Sequence, residues 1–410
     1  MPLDNMDSAI DQSHADFTVG FVLDKLATVG KLGPSADLAN VENAQFVQLS
    51  TGGFLSDIYR IQIQFKQADD TEEATTPTAF SCIFKVPTSR RLDLHTGSEL
   101  AKEHMKMWMY TVHNSECHFY ATVVPLLRAM PVPLPFRIPE LYACRNAASP
   151  DCLAGGYLLM EDVSGDGIIE IDLSEGLTKE QAESAIRGLA HFHALCLCLP
   201  RELVDSFTLK AELDFDEKDL HIIERITAMP DCAQSFAGQN EALKKHYNDH
   251  GHYEPDQHKL FSVAPVIVHG DFWSNNMFFK TYNGQSVADQ LSAVFDWQIC
   301  HTGTGVNDLL RIIYVSVDAP LRRLHFDEWL ALYCSELNSV LAQLGKVPPD
   351  QHQRPMELIR QMVAHYNGYE LCFQLFLLTN ILGTVQQQNE QKRAKLIKRM
   401  RELYDDICEH

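Results

Sequence analysis

The sequence predicts an α+β chain built in two parts, a small antiparallel sheet followed by a larger, mainly helical region. Three observations carry that reading. Period-2 alternation is confined to the first third, where Tyr59, Ile61, Ile63 and Phe65 alternate with Ile58, Arg60, Gln62 and Gln64. Helical spacing of apolar residues dominates from Thr178 onward, in stretches near 307–317, 325–344, 355–380 and 386–408. Two short apolar runs, Val266–Val268 and Met277–Phe279, bracket the polar sequence HGDFWSNN. Those polar residues therefore sit in a tight connection held by buried strands, the kind of place where chemistry is found.

Taken in order, residues 17–32 carry apolar residues at helical spacing and are stopped by Gly33-Pro34, giving a helical extension over 1–35. FVQLSTGGFLSDIYRIQIQF reads as strand, glycine turn, strand; the acidic stretch 66–78 is a solvated loop; AFSCIFKVP (79–87) is a strand ended by Pro87. Residues 98–127 read as two helices broken near His113-Asn114. PVPLPFRIPELYAC is a proline-rich crossing segment, and YLLM is a further strand that SGDG leaves as a loop. Thr178, with Gln181 three residues on, starts the helix KEQAESAIRGLAHFHALCLCL. After the HGDFWSNN loop a second strand covers 291–296. The expected organisation is the extension 1–35, a first lobe over 36–162 ending in a hinge, and a second lobe over 163–410. No internal repeat or long low-complexity segment is present.

Composition narrows the function classes. The chain has 410 residues, 45% hydrophobic and 22% charged, enough for a sizeable core. Its formal charge, 34 − 55 = −21, argues against a nucleic-acid backbone or an anionic membrane as partner. No run approaches the ~18 apolar residues of a membrane span. The opening MPLDNMDSAIDQSHADF lacks the basic and apolar regions of a signal peptide. Eleven cysteines are scattered without a paired framework. Cys196-x-Cys198, in helical surroundings with no second cluster, reads as buried thiols rather than a metal site. An odd cysteine count without a secretory signal fits a reducing compartment, so a cytoplasmic protein is expected. Nothing marks an obligate protein partner.

Four pieces carry chemistry together: Gly52-Gly53-Phe54-x-Ser56 in the first hairpin, Lys85 ending the strand CIFKV, His269-x-Asp271-x4-Asn276, and Asp296 after an apolar run in AVFDWQ. Phosphoryl transfer from a nucleotide is mostly positioning and neutralisation of phosphate charge. A strand lysine can hold phosphates, and glycines let backbone N–H groups approach them. A strand-end carboxylate and an amide oxygen can ligate hard cations such as Mg2+. A loop Asp can orient a hydroxyl and accept its proton. Singly these features are bland: a Gly-Gly hairpin is usually a turn, a strand-end lysine usually reaches solvent, and His269 fits a structural role better than a catalytic one. The Asp-x4-Asn, strand, Asp arrangement is far more specific.

HGDFWSNN followed by AVFDWQ resembles the choline/aminoglycoside kinase-like superfamily, and more closely its CHK kinase-like group, which includes insect ecdysteroid kinases and a set abundant in nematodes. GGFLSDIYRI, CIFKV, ECHFY, YLLMEDVSGDG, LAHFHAL, VHGDFWSNNMFF and FDWQICHTGTGVNDLLRI each resemble that group's blocks in the same order, over residues 45–315. The resemblance implies a two-lobed, protein-kinase-like fold with an antiparallel-sheet N-lobe and a larger helical C-lobe. It implies a small-molecule kinase that uses ATP and Mg2+ to phosphorylate a hydroxyl of a small alcohol, sterol-like or choline-like. Asp271 becomes the catalytic base, Asn276 and Asp296 the metal ligands, and Lys85 the phosphate-holding lysine. Glu116 best matches its carboxylate partner, with Glu99 and Glu103 as rivals. Met160, Glu161 and Val163 fall in the hinge that would bind adenine, Gly52, Gly53 and Ser56 in the phosphate hairpin, and Asp308 where an Asp braces the catalytic loop. The alternatives are a nucleotide-binding scaffold without turnover and an aminoglycoside-type phosphotransferase.

Overall fold

The computed structural model describes residues 14, 16–32, 41–50, 55–66, 79–88, 99–165, 168–208, 226, 228–250, 256–282, 286–345 and 354–408. The chain divides into two compact units, Met1–Val123 with Pro139–Gly165, and Val124–Ile138 with Asp166–His410. The first holds an antiparallel sheet and the second is mainly helical, an α+β organisation.

In the first unit, β1 (Val41–Ser50), β2 (Ser56–Phe65), β3 (Ala79–Pro87), β4 (Leu141–Arg145) and β5 (Tyr157–Glu161) form one antiparallel sheet in the order β1-β2-β3-β5-β4. The alternation of β2 buries Tyr59, Ile61, Ile63 and Phe65 in a cluster with Phe84, Tyr157 and Leu159. Helix α1 (Val19–Thr28) adds Val22, Leu23 and Leu26 to the same cluster. Each such side chain contributes roughly 1.5–3 kcal/mol by leaving water, so the N-terminal helix is part of the sheet's own core. Strand β4, which the sequence reading left inside the proline-rich segment, becomes a strand through its pairing with β5; nothing in LYACR alone distinguishes it.

Helix α2 (Glu99–His118) runs unbroken through His113-Asn114, where a break was expected. The polar side chains there are satisfied elsewhere. His113 Nε2 donates to Arg145 O at 3.0 Å, and the Asn114 amide brackets Ala147, accepting its N–H at 2.9 Å and donating to its carbonyl at 3.4 Å. They therefore do not compete with their own helix for backbone bonds. The ladder widens later, in a π-helical stretch at Phe119–Val123 just ahead of Pro125, whose missing N–H takes a bond out of it.

In the second unit β6 (Ile168–Ile169), β8 (Met277–Tyr282) and β9 (Ser286–Val294) form a sheet in the order β6-β8-β9, while β7 (Val266–Val268) pairs with β10 (His301–Gly303). Residues Val124–Ile138 belong here because Arg137 N–H donates to Ser292 O at 2.8 Å and Val294 N–H returns to Arg137 O at 3.0 Å. Strand β10 lies in ICHTGTG, where its pairing of His301 with Val268 makes it a strand. Strand β9 ends at Val294, so Asp296 stands in the loop beyond it. Its helices include α3 (Lys179–Cys196), α4 (Val306–Ser316), α5 (Ala319–Gln343), α6 (Met356–Thr384) and α7 (Glu390–Cys408). Every residue of α4 is buried, which makes it the central helix of the unit. No helix among the described residues is long and apolar enough to cross a membrane.

Helix α3 starts at a capping box: Gln181 N–H donates to Thr178 Oγ1 at 3.2 Å, and Thr178 N–H to Gln181 Oε1 at 3.0 Å. Thr178→Ala is expected to lower stability by about 1 kcal/mol and Thr178→Ser by much less, read as a shift of the chemical-denaturation midpoint.

Candidate active site

Lys85 stands on β3 opposite Ile58 of β2 and Leu158 of β5, so its stem is enclosed by strands on both sides. It is 4% exposed, and its Nζ lies 2.7 Å from Oε2 of Glu116 on α2, itself 1% exposed. Removing either partner would leave the other charge buried, at a cost of roughly 3–5 kcal/mol. Glu103, the rival, pairs with Lys106 at 2.7 Å on the exposed side of the helix; the side chain of Glu99, and Gly52 and Gly53, lie outside the described residues. Ser56 is buried opposite Pro87. Met160 and Glu161 end β5, and the Glu161 N–H is engaged by Glu140 O at 2.8 Å; Val163 is buried just beyond.

Between them sits a residue the sequence reading passed over. Asp162 accepts from Arg60 Nε at 2.8 Å and Ser81 Oγ at 2.6 Å with one oxygen, and from the Ser164 hydroxyl and N–H with the other. Burial pushes its carboxyl up, but Ser164, Ser81 and Arg60 outweigh it and hold the group below the usual carboxylate range. The segment after β5 is thereby tied to β2 and β3.

The second unit builds the loop from His269 to Asn276. Both oxygens of the Asp308 carboxylate on α4 are taken by successive backbone groups, the N–H of His269 at 2.7 Å and of Gly270 at 2.9 Å. His193 Nε2 of α3 lies 3.4 Å from the same carboxylate, and its Nδ1 meets Tyr333 OH at 2.8 Å. His269 Nδ1 accepts the Asp271 N–H at 3.2 Å, so its proton is on Nε2, which donates to Phe295 O at 3.1 Å. Burial holds this imidazole neutral, well below its ordinary pKa. His269 is a peg between the loop and the segment after β9, with Trp297 packed on it at 4.3 Å. Trp273 is buried as well. Gly270 has φ +84°, and a Cβ there would meet Ile299 O at 2.4 Å, so the position requires glycine.

Asp271 is thereby aimed and then held. Asn276 Nδ2 donates to its carbonyl at 2.9 Å and to Oδ2 at 3.0 Å, while Arg311 Nη1 lies 3.6 Å from Oδ1. Burial pushes the Asp271 carboxyl up to about 6; Arg311 opposes the rise and Asp296 reinforces it. Arg311, which sequence reasoning missed, also donates to Gly270 O and is balanced by Glu370 of α6 at 3.3 Å. Glu370 in turn accepts from Asn307 at 3.0 Å and Gln374 at 2.7 Å, and the Arg311 guanidinium lies 3.7 Å from the centre of the Phe373 ring. Only the charge of Arg311 could have drawn notice in VNDLLRI; its partners are far away in sequence.

Asp296 has φ +65°, a left-handed conformation that costs a non-glycine residue about 1–3 kcal/mol and is found at functional positions. The preceding Phe295 N–H donates to Asn276 O at 3.1 Å, so the structure brings Asn276 and Asp296 together. With Asn276's NH2 turned to Asp271, its amide oxygen and the Asp296 carboxylate are the hard oxygen donors at this end of the loop. No group of three or more His, Cys, Asp or Glu able to hold a metal occurs among the described residues. A pair of oxygen donors fits Mg2+, which keeps waters and takes substrate phosphates as its other ligands, rather than a metal needing an all-protein cage.

Gly270→Ala is expected to lose at least ~2 kcal/mol of stability, since it combines strain at positive φ with a backbone clash; a thermal melt within a degree of the parent would remove the close-approach argument.

A model of the ecdysteroid kinase-like family matches residues 50–346. Among curated proteins, the chain is 23% identical over 334 residues to an uncharacterised oxidoreductase of Caenorhabditis elegans, covering 78% of this chain and 38% of that protein. It is 24% identical over 293 residues to an uncharacterised kinase-like protein of the same organism, covering 70% of this chain and 71% of that protein. The chain thus spans well under half the length of the first of these relatives. Among solved structures it is similar to an ethanolamine kinase of Plasmodium vivax, with a TM-score of 0.45 and 10% identity over 98% of this chain and 92% of that chain. The family match covers most of the sequence and encloses Lys85, Glu116, the loop from His269 to Asn276, Asp296 and Arg311: the chain belongs to the ecdysteroid kinase-like family.

Proposed function

We propose that the protein is a small-molecule kinase that uses Mg·ATP to phosphorylate a hydroxyl of a small alcohol. The observation that carries this reading is the held geometry of Asp271, a nearly enclosed carboxylate fixed by Asn276 and Arg311 on a loop clamped by Asp308. Its side chain keeps 17% of its surface open, so a hydroxyl can reach it. Such a carboxylate orients the incoming hydroxyl and accepts its proton as the new O–P bond forms, a contribution worth ~10²–10⁴ in rate.

The remaining residues have matching roles. Lys85, kept extended by Glu116, holds nucleotide phosphates. Asn276 and Asp296 would hold Mg2+, which when bound neutralises phosphate charge. The segment Met160 to Val163, immobilised through Asp162, reads the base. Ser56, with Gly52 and Gly53 ahead of it in sequence, is assigned to phosphate binding.

The acceptor side favours an apolar alcohol over a polycation. Glu370, the buried carboxylate behind the base, is consumed by Arg311, Asn307 and Gln374, while Phe373 covers the guanidinium. A sterol-like alcohol meets those surroundings better than an aminoglycoside or choline. A scaffold without turnover has no use for an aimed Asp271 or for the strain at Asp296, so catalysis is the better reading.

The test is ATP consumption by the pure protein against ecdysteroids and other sterols, choline, ethanolamine, aminoglycosides and glucosides, alongside calorimetric titration with Mg·ATP. Asp271→Asn should keep Mg·ATP affinity and lose transfer by roughly 10²–10⁴; near-parental turnover would remove Asp271 as base. Asp296→Ala should abolish the Mg2+-dependent part of nucleotide binding, and an unchanged titration would take Asp296 out of the metal site.

A further inference from the structure

Four arginines among the described residues are buried: Arg311, Arg322, Arg354 and Arg399. Three of them sit against a carboxylate, Arg311 with Glu370 at 3.3 Å, Arg322 with Asp406 and Arg399 with Asp318. Lys85 is buried too, and it has Glu116. Arg354 is the exception, and at 0% exposed it is also the most deeply enclosed of the four. Its Nη2 donates to the carbonyl of Ala264 at 2.6 Å, while Nε and Nη1 have no hydrogen-bond partner among the described residues.

A guanidinium stays protonated at any ordinary pH, so Arg354 cannot escape burial by shedding its charge. Burial pushes it down from its usual range, and the groups that oppose this are Tyr333, Tyr366 and Cys334. Phenols and a thiol are neutral near pH 7 and supply no counter-charge. The place of Arg354 in the chain adds to its charge. It directly precedes Pro355, the N-cap of α6, and no side chain caps that end. The aligned peptide dipoles of this helix put partial positive charge at the same end as the guanidinium. The carbonyl of Ala264 offers a dipole against this, but no charge. An uncompensated buried ion is strongly destabilising, and hydrogen bonds left unmade on it add to the cost.

We propose that Arg354 binds a small monovalent anion of the chloride type through its Nε and Nη1 groups. One unit of charge in closed surroundings calls for one unit in return. Water brings none, and phosphate brings a second charge that nothing there would balance. The anion fastens the start of α6 to the segment leading into β7, because Ala264 stands two positions ahead of Val266. A second link lies alongside. Gly303 of β10 is the register partner of Val266, and the next residue, Thr304, donates from its hydroxyl to Tyr366 of α6 at 3.1 Å. The site needs no reaction at Asp271, so its test is independent of the kinase reading.

The full-length protein is melted while chloride replaces gluconate, an anion too large to be enclosed, at constant ionic strength. Chloride should raise Tm by about 2–4 °C, saturating by about 100 mM, and bromide should act alike. Arg354→Met keeps the bulk of the stem and removes the charge, and should lose the response. Arg360→Met, at an exposed arginine paired with Asp327, should keep it. Anomalous diffraction from crystals of the parent protein grown in sodium bromide should show a bromide within hydrogen-bond reach of the Arg354 guanidinium. An ordered water or a carboxylate of the chain in that place would overturn the proposal, as would a chloride response no larger in the parent than in Arg354→Met. The bromide map decides it even where the substituted chain folds poorly.

Discussion

The loop from His269 to Asn276 depends on one carboxylate. Asp308 takes two successive backbone N–H groups, those of His269 and Gly270, and so fixes the direction in which the chain leaves β7. Burial pushes this carboxyl up, yet His193 and the backbone donors hold it below the ordinary range, so it stays an acceptor. Three residues further on the same helix, Arg311 donates to the carbonyl of Gly270. One turn of α4 thus grips Gly270 from both its N–H and its C=O, which is possible because residues three apart share a helix face. The orientation of Asp271 follows from that grip.

The buried charges form a chain of compensations rather than a set of isolated pairs. Arg311 lies between Asp271 and Glu370, and Glu370 is further satisfied by the amides of Asn307 and Gln374. A buried guanidinium between two carboxylates is worth little as a source of stability, because desolvation offsets most of the attraction. Its value is geometric: each member is overdetermined by the others, so a left-handed Asp296 and a crowded Gly270 can persist nearby. In the sheet unit, the buried pair of Lys85 and Glu116 follows the same logic.

What could be read from the sequence was whatever is encoded locally. The period of β2, the cap Thr178 with Gln181, the long C-terminal helices and the spacing of Asp271 and Asn276 are all short-range patterns, and the structure has those elements within a few residues of the expected limits. What escaped was long-range. Arg60 reaches Asp162 across 102 positions, Arg311 reaches Glu370 across 59, and β4 and β10 are strands only because a partner strand lies beside them. His113 and Asn114 look like helix breakers until Arg145 and Ala147 are seen to absorb their polar groups. Asp271 could be named from spacing, but its enclosure and its supports belong to tertiary structure.

The separation between Asp308 and the backbone it holds also bears on how the chain acquires its shape. The bonds to His269 and Gly270 span 39 and 38 positions, and those from Arg311 to Glu370 span 59. Closing such loops costs entropy that only the docked helices return. The polar loop therefore gains its form when α4 docks beside it and α6 packs on α4, and not while the segment is still being held by its own neighbours. A nascent chain lacking α6 leaves Arg311 without Glu370, so the loop's geometry arrives late and all at once.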